Sequence, residues 1–190
     1  MTYSYMFAAA WGVWMLSWGL AAIWASKAAA RPPDREERYH WLVMLAGSVL
    51  LFLNFATGRR DMLWSTPDAY EWLLVAVALV GFALTWWARI HLGTLWSGRV
   101  TRKADHKIID TGPYAIVRHP IYTGLIVALA ATAMLRPGLF GIAGVALIVV
   151  SFSLKYRLEE RFLMEELGPE YAAYRKRVPA LVPFWPVRGP

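Results

Sequence analysis

Cysteine is absent from the 190 residues. That removes disulfides, a thiolate nucleophile and every cysteine-based metal site. Charge is scarce: only 17% of residues are Asp, Glu, Lys or Arg, against about 25% in soluble domains. An ordinary soluble protein does not fit, and neither does disorder, which needs low hydrophobicity and abundant charge. No GxxxxGK[ST] phosphate loop and no GxGxxG dinucleotide loop occurs. His40, His91, His106 and His119 show neither HExxH nor a paired helical spacing, so no metal is expected. No GxSxG turn supports a serine hydrolase. What is abundant is apolar: 58% of the residues are hydrophobic and 15% aromatic, with a net charge of +7. The cations are spread over loops that flank apolar stretches. That argues for membrane-adjacent loops and against nucleic acid as a partner.

Five apolar stretches stand out, near 6–26, 39–57, 69–90, 121–135 and 139–156. A bilayer-spanning helix needs about 20 apolar residues. The fold expected is an all-α integral membrane protein with about five transmembrane helices, in a single domain over 1–190. The first stretch lacks a basic leader and is longer than the apolar run of a cleaved signal peptide, so a span is expected there. Arg136-Pro137-Gly138 breaks the last two stretches into a helical hairpin over 121–156. With the N-terminus outside and the C-terminus inside, seventeen of the twenty Lys and Arg residues fall on the cytoplasmic side, as the positive-inside rule requires. The two N-terminal spans, within 1–60, read as structural. Trp11, Trp14, Trp18 and Trp24 fit interfacial belts or lipid-facing rings, and Gly138, Gly141 and Gly144 fit close helix packing.

Chemistry concentrates in two polar segments. Residues 91–120 contain a turn signal, Thr111-Gly112-Pro113, and end in Arg118-His119-Pro120. Proline is favoured in the first turn of a helix, so Arg118 and His119 lie at a positively polarised helix start suited to an anion. Taken alone, lipid phosphate for Arg118 and helix capping for His119 account for that pair. Residues 157–190 bring acids directly below the fifth span, Glu159 and Glu160 and then Glu165 and Glu166. An amphipathic surface helix accounts for these equally well.

Two blocks overturn those plain readings. The first is His106-x-Ile108-Ile109-x-x-Gly112-x-Tyr114-x-x-x-Arg118-His119-Pro120-x-Tyr122-x-Gly124. The second is Glu159-Glu160-x-x-Leu163, followed by Gly168-x-Glu170-Tyr171-x-x-Tyr174-x-x-x-Val178-Pro179 and Leu181-x-Pro183-Phe184. In this order, and separated by a helical hairpin, they resemble the signature of the isoprenylcysteine carboxyl methyltransferase family over about residues 89–185. The resemblance implies a catalytic core at 69–185 and S-adenosylmethionine as cofactor. The cap for that cofactor is expected on the cytoplasmic side, formed by the 91–120 segment and the C-terminal helix. Carried over by motif, the cofactor-binding positions are His106, Lys107, Ile108, Ile109, Tyr114, His119, Pro120, Ile121, Tyr122 and Glu159.

Their chemistry suits the cofactor. Glu159 is an acceptor for its ammonium or ribose hydroxyls, His119 and Tyr122 are donors for its carboxylate, and Ile108 and Ile109 can sandwich adenine. The family's substrate is the carboxylate of a C-terminal prenylcysteine. Such a carboxylate is already ionised at neutral pH and needs positioning and loss of water rather than a general base. Candidates for the cation that holds it are Lys155, Arg157 and Arg118. Where the family pattern has Arg four residues before the first Glu, this chain has Lys155. If the fifth helix continues past Tyr156, Lys155 lies about 40° from Glu159 and Arg157 about 200° away. The implied activity is carboxyl O-methylation of a lipophilic acid entering from the bilayer, in a bacterial inner membrane or endoplasmic reticulum. A phospholipid amine or a thiol is an alternative acceptor. An NADPH-dependent sterol-type reductase has a similar C-terminal layout, but usually Trp-x-x-Tyr where this chain has Tyr171-x-x-Tyr174.

Overall fold

Apolar runs without breakers become helices here. A computed structural model of the chain describes residues 2–24, 34–56, 62–96 and 108–186. His106 and Lys107 lie outside these residues. The order is α1 (Thr2–Ala21), α2 (Asp34–Ala56), α3 (Asp68–Leu92), α4 (Pro120–Leu135) and α5 (Leu139–Arg177). No strand occurs among the described residues; Met62 and Gly138 form one isolated bridge. In α3, Asp68 and Glu71 occupy the first turn and Arg89 and His91 the last, matching the helix dipole at both ends. Gly93 terminates it at φ 56°, a conformation that suits glycine. Pro120 opens α4, and Pro137-Gly138 separates it from α5.

Among the described residues three segments are long and apolar enough to cross a membrane: Arg38–Phe55, Asp68–Leu95 and Leu139–Arg177. The fourth helix has 16 residues, about 24 Å of rise, which falls short of a typical hydrocarbon core. The fifth does not stop at Tyr156 as its apolar run suggests. It continues to Arg177, because Lys155–Leu167 contains good helix formers and no breaker. At Gly168 (φ 54°), followed by Pro169, it kinks.

The helices run alternately up and down. At one end Arg89 Nη2 donates to Ala21 O at 2.6 Å and Ser151 Oγ donates to His40 O at 2.7 Å. At the other, Arg136 Nη1 donates to Phe55 O at 3.0 Å and Leu63 N donates to Pro137 O at 2.7 Å. Glycines allow the closest approaches. A Cβ on Gly47 would lie 2.7 Å from Gly144 O, and one on Gly124 would lie 2.5 Å from Gly81 O. Thus α2 packs on α5 and α3 on α4 backbone to backbone.

The first helix is bound to this frame by its tryptophans. Trp11 Nε1 donates to Thr132 Oγ1 at 3.0 Å, and Trp14 Nε1 donates to Thr85 Oγ1 at 2.8 Å. These rings are half-buried fasteners between helices, which corrects the expectation that they face lipid. A buried indole N–H needs an acceptor, and the two threonines supply it.

Candidate active site

The site end of the bundle holds a cavity of about 390 Å³. Its wall includes Ile108, Ile109, Tyr114, His119, Pro120, Ile121, Tyr122 and Glu159. These are all the expected cofactor-binding residues that fall among the described ones. Three elements bring them together. Ile108–Tyr114 form an irregular lead and the start of a 3₁₀ turn (Gly112–Ala115), His119–Tyr122 open α4, and Glu159 lies on α5, one turn below Lys155.

The polar groups are tightly organised. Tyr122 OH donates to Glu159 Oε1 at 2.7 Å, which orients that carboxylate on the cavity wall. His119 stands between the two acids. Its Nε2 lies 3.1 Å from Glu160 Oε1 and its Nδ1 lies 3.6 Å from Glu159 Oε2. A carboxylate only accepts, so Nε2 carries the proton in the shorter contact. The His119 ring stacks on Tyr122 with centroids 5.6 Å apart, which fixes its plane. Tyr174 OH donates to Tyr114 O at 2.7 Å and ties the kinked end of α5 to the 3₁₀ turn. Burial, together with neighbouring acids and tyrosines, holds the Tyr114, Tyr171 and Tyr174 phenols well above their usual range, so all three stay protonated.

Glu160 was not singled out for a role by sequence reasoning, although it sits in the second block. Arg118 Nε donates to its Oε1 at 2.7 Å, Arg118 Nη2 lies 2.6 Å from the same oxygen, and Arg175 Nε lies 3.4 Å from Oε2. Burial raises this carboxyl, but the His119 hydrogen bond and the Arg118 charge outweigh it and hold it below the ordinary carboxylate value. Arg118 also donates to the carbonyls of Arg175 and Val178. The backbone beside it continues the attachment: Arg118 N donates to Pro179 O at 2.8 Å and His119 N donates to Ala180 O at 3.0 Å. Arg118 is therefore a clamp between the start of α4 and the C-terminal segment.

The three candidate cations separate in space. Lys155 lines the cavity, with Nζ 5.7 Å from the Tyr122 ring centroid and 6.0 Å from that of Trp41. Arg118 also touches the wall, but its guanidinium is engaged with Glu160 and the carbonyls. Arg157 is exposed and is not part of the wall. Because α5 stays helical through 177, the stripe Phe152, Lys155, Glu159, Phe162 and Leu163 faces inward and Arg157 faces away.

One expectation needs revision. The two N-terminal helices are not merely structural, since Trp18 of α1 and His40, Trp41 and Met44 of α2 line the same cavity. An aromatic-rich helix carries no periodic signal that separates a cavity wall from a lipid face, so sequence reasoning missed them. Among the described residues no cluster of three His, Asp or Glu could hold a metal ion.

The described residues form an all-helical bundle with segments long and apolar enough to span a membrane and a cavity at one end lined by acids and aromatics. The chain belongs to the isoprenylcysteine carboxyl methyltransferase (ICMT) family, whose model matches residues 73–166. It is 30% identical over 147 residues to the cobalt-zinc-cadmium resistance protein CzcN of Cupriavidus metallidurans, covering 75% of this chain and 62% of that one. It is 32% identical over 154 residues to methanethiol S-methyltransferase 2 of Bradyrhizobium diazoefficiens, covering 74% and 58%. It is 28% identical over 163 residues to the protein-S-isoprenylcysteine O-methyltransferase of Schizosaccharomyces pombe, covering 77% and 68%. The fold is similar to that of the eukaryotic intramembrane Ras methyltransferase ICMT, with a TM-score of 0.54 and 22% identity over 77% of this chain and 53% of that one. The chain thus spans about 60% of the length of the first two relatives.

Proposed function

We propose that the protein is an S-adenosylmethionine-dependent membrane methyltransferase that esterifies the carboxylate of a lipophilic acid such as a C-terminal prenylcysteine. The observation that carries this reading is a single cavity wall, on which the cofactor-signature residues and the Lys155 cation meet apolar side chains of α1, α2, α4 and α5. The residues fit the cofactor: Glu159 offers an oriented acceptor, Ile108 and Ile109 an apolar slot, and Pro120 a helix start.

When bound, the cofactor supplies a sulfonium-activated methyl group, which the acceptor oxygen takes as the carbon–sulfur electron pair stays with sulfur. The chain's own residues do the rest. Tyr122 holds Glu159 in place, and Lys155 draws the acceptor carboxylate to the level of Glu159. Trp18, Trp41, Trp96 and Phe152 exclude water, which strengthens the Lys155–carboxylate attraction. The active site lies on the cytoplasmic side of a bacterial inner membrane or the endoplasmic reticulum, because that orientation puts seventeen of twenty cations inside.

A thiol acceptor is the second reading. It is supported by the likeness to methanethiol S-methyltransferase 2 and by a lysine at Lys155, a point charge rather than a fork. Purified protein incubated with tritiated cofactor and a panel of lipophilic acids and thiols separates the two. Base-labile release of labelled methanol is expected from an ester. A base-stable labelled thioether, with no ester from any acid, would overturn the carboxylate reading.

A further inference from the structure

We propose that His40 of α2 is a second acceptor-binding residue, forming with Lys155 a two-point grip on the acceptor carboxylate. The proposal rests on the carboxylate reading above. It goes beyond it by adding a group from a helix outside the 73–166 match.

At the α4–α5 side of the cavity wall Arg118 and His119 bond Glu160 and Tyr122 bonds Glu159, with His119 Nδ1 3.6 Å from Glu159 Oε2. His40 and Lys155 stand at the α2–α5 side. The His40 side chain is buried at 2% exposure yet lines the cavity. Its height is fixed by the backbone: Ser151, one turn before Lys155 on α5, donates to His40 O at 2.7 Å. Its ring lies 4.9 Å from that of Trp41, and Lys155 Nζ lies 6.0 Å from the same Trp41 ring. His40 and Lys155 thus both stand close to the Trp41 ring, in one corner of the cavity wall.

The chemistry gives the corner a purpose. A guanidinium binds a carboxylate through two parallel N–H bonds, whereas an ammonium gives charge without a fixed direction. An imidazole N–H beside the ammonium restores direction. Lys155 then neutralises the carboxylate, and His40 donates to its second oxygen and fixes its rotation. A thiolate has one reacting atom and gains little from a second donor, so the corner selects a carboxylate over a thiol.

The test uses the full chain in nanodiscs with N-acetyl-S-farnesylcysteine as the acid. His40→Ala is expected to raise its KM about 10- to 100-fold, the loss of one hydrogen bond to a charged group, while S-adenosylmethionine affinity stays unchanged. His40→Gln, which keeps an N–H donor, retains most of the affinity. The deciding variant is His40→Ala combined with Lys155→Arg: the fork supplies the missing bond and the KM returns towards that of the parent. A purely structural role for His40 would not be rescued in this way. An unchanged KM in His40→Ala, a parallel loss of cofactor affinity, or no rescue by Lys155→Arg overturns the proposal. If His40→Ala does not fold, His40→Met against His40→Gln carries the same comparison.

Equilibrium binding of the acid keeps this proposal separable from the reaction. A parent protein that binds the acid but methylates only thiols sinks the carboxylate reaction, and the same variants then judge the grip by binding alone. A parent that does not bind the acid overturns the grip.

Discussion

At the scale of single residues the site divides its work between neighbours in sequence. Glu159 faces the cavity and Glu160, one residue on, faces Arg118, His119 and Arg175. A 100° step on the helix is what sends adjacent acids to different tasks. Glu159→Gln and His119→Ala are each expected to weaken S-adenosylmethionine binding by about 1–3 kcal/mol, measured by equilibrium binding of labelled cofactor. Unchanged affinity in both folded variants would remove the pocket assignment. Lys155→Ala should raise acceptor KM or lower turnover with cofactor affinity nearly intact, and Arg157→Ala should do neither. The reverse pattern would exchange their roles. Glu160 makes a pH prediction. Its carboxyl is held below the ordinary carboxylate value, so its stabilising contribution is complete above that value and lost as pH falls through the depressed one. Below about pH 4 the C-terminal segment should become sensitive to proteolysis. In Glu160→Gln that segment should be sensitive already at neutral pH, with little further change on acidification. A parent cleavage profile that stays flat on acidification would count against the clamp.

Among the contacts that hold the elements together are glycine crossings and indole bonds. Gly124→Ala sets a Cβ 2.5 Å from Gly81 O and 2.8 Å from Thr85 Cγ2, and Gly144→Ala sets one 2.7 Å from Gly47 O. Backbone cannot yield as a flexible side chain does, so each substitution should cost about 1–3 kcal/mol, seen as a lower Tm in detergent. Gly12, with nothing within 4 Å of its Cβ position, is the control: Gly12→Ala should leave Tm unchanged or slightly raised, since alanine is the better helix former. Equal losses at all three sites would mean that helix flexibility, not close packing, explains these glycines. At the same scale, the continuation of α5 through Lys155 to Gly168 carries one helical stripe from the membrane span into the cavity wall. It places Lys155 and Glu159 together without any loop between them.

For the whole molecule, the alternating helices put Trp18, His40, Leu92, His119 and Lys155 at one end and Phe55, Leu63 and Arg136 at the other. The absence of cysteine makes this arrangement directly testable. A cysteine placed at exposed Lys176 should label only from the cytoplasmic side, and one at exposed Trp64 only from the opposite side. The reversed pattern would invert the orientation and move the site with it. Much of this architecture was legible without coordinates. Length and apolarity determine the helices, Arg136-Pro137-Gly138 determines the hairpin turn, and the 3.6-residue period separates Lys155 from Arg157, because these are local properties of the chain. The two motif blocks likewise marked the wall residues Ile108, Tyr114, His119, Tyr122 and Glu159. What only the tertiary structure decided depends on partners distant in sequence. Trp11 and Trp14 read as lipid-facing until Thr132 and Thr85 supply acceptors 121 and 71 residues away. Arg118 read as an anion site until Glu160 and the carbonyl of Val178 occupied it. His40 belonged to no motif until the packing of α2 on α5 brought it to the cavity wall. No local pattern encodes such meetings, since a side chain's task is set by which surface the fold presses against it.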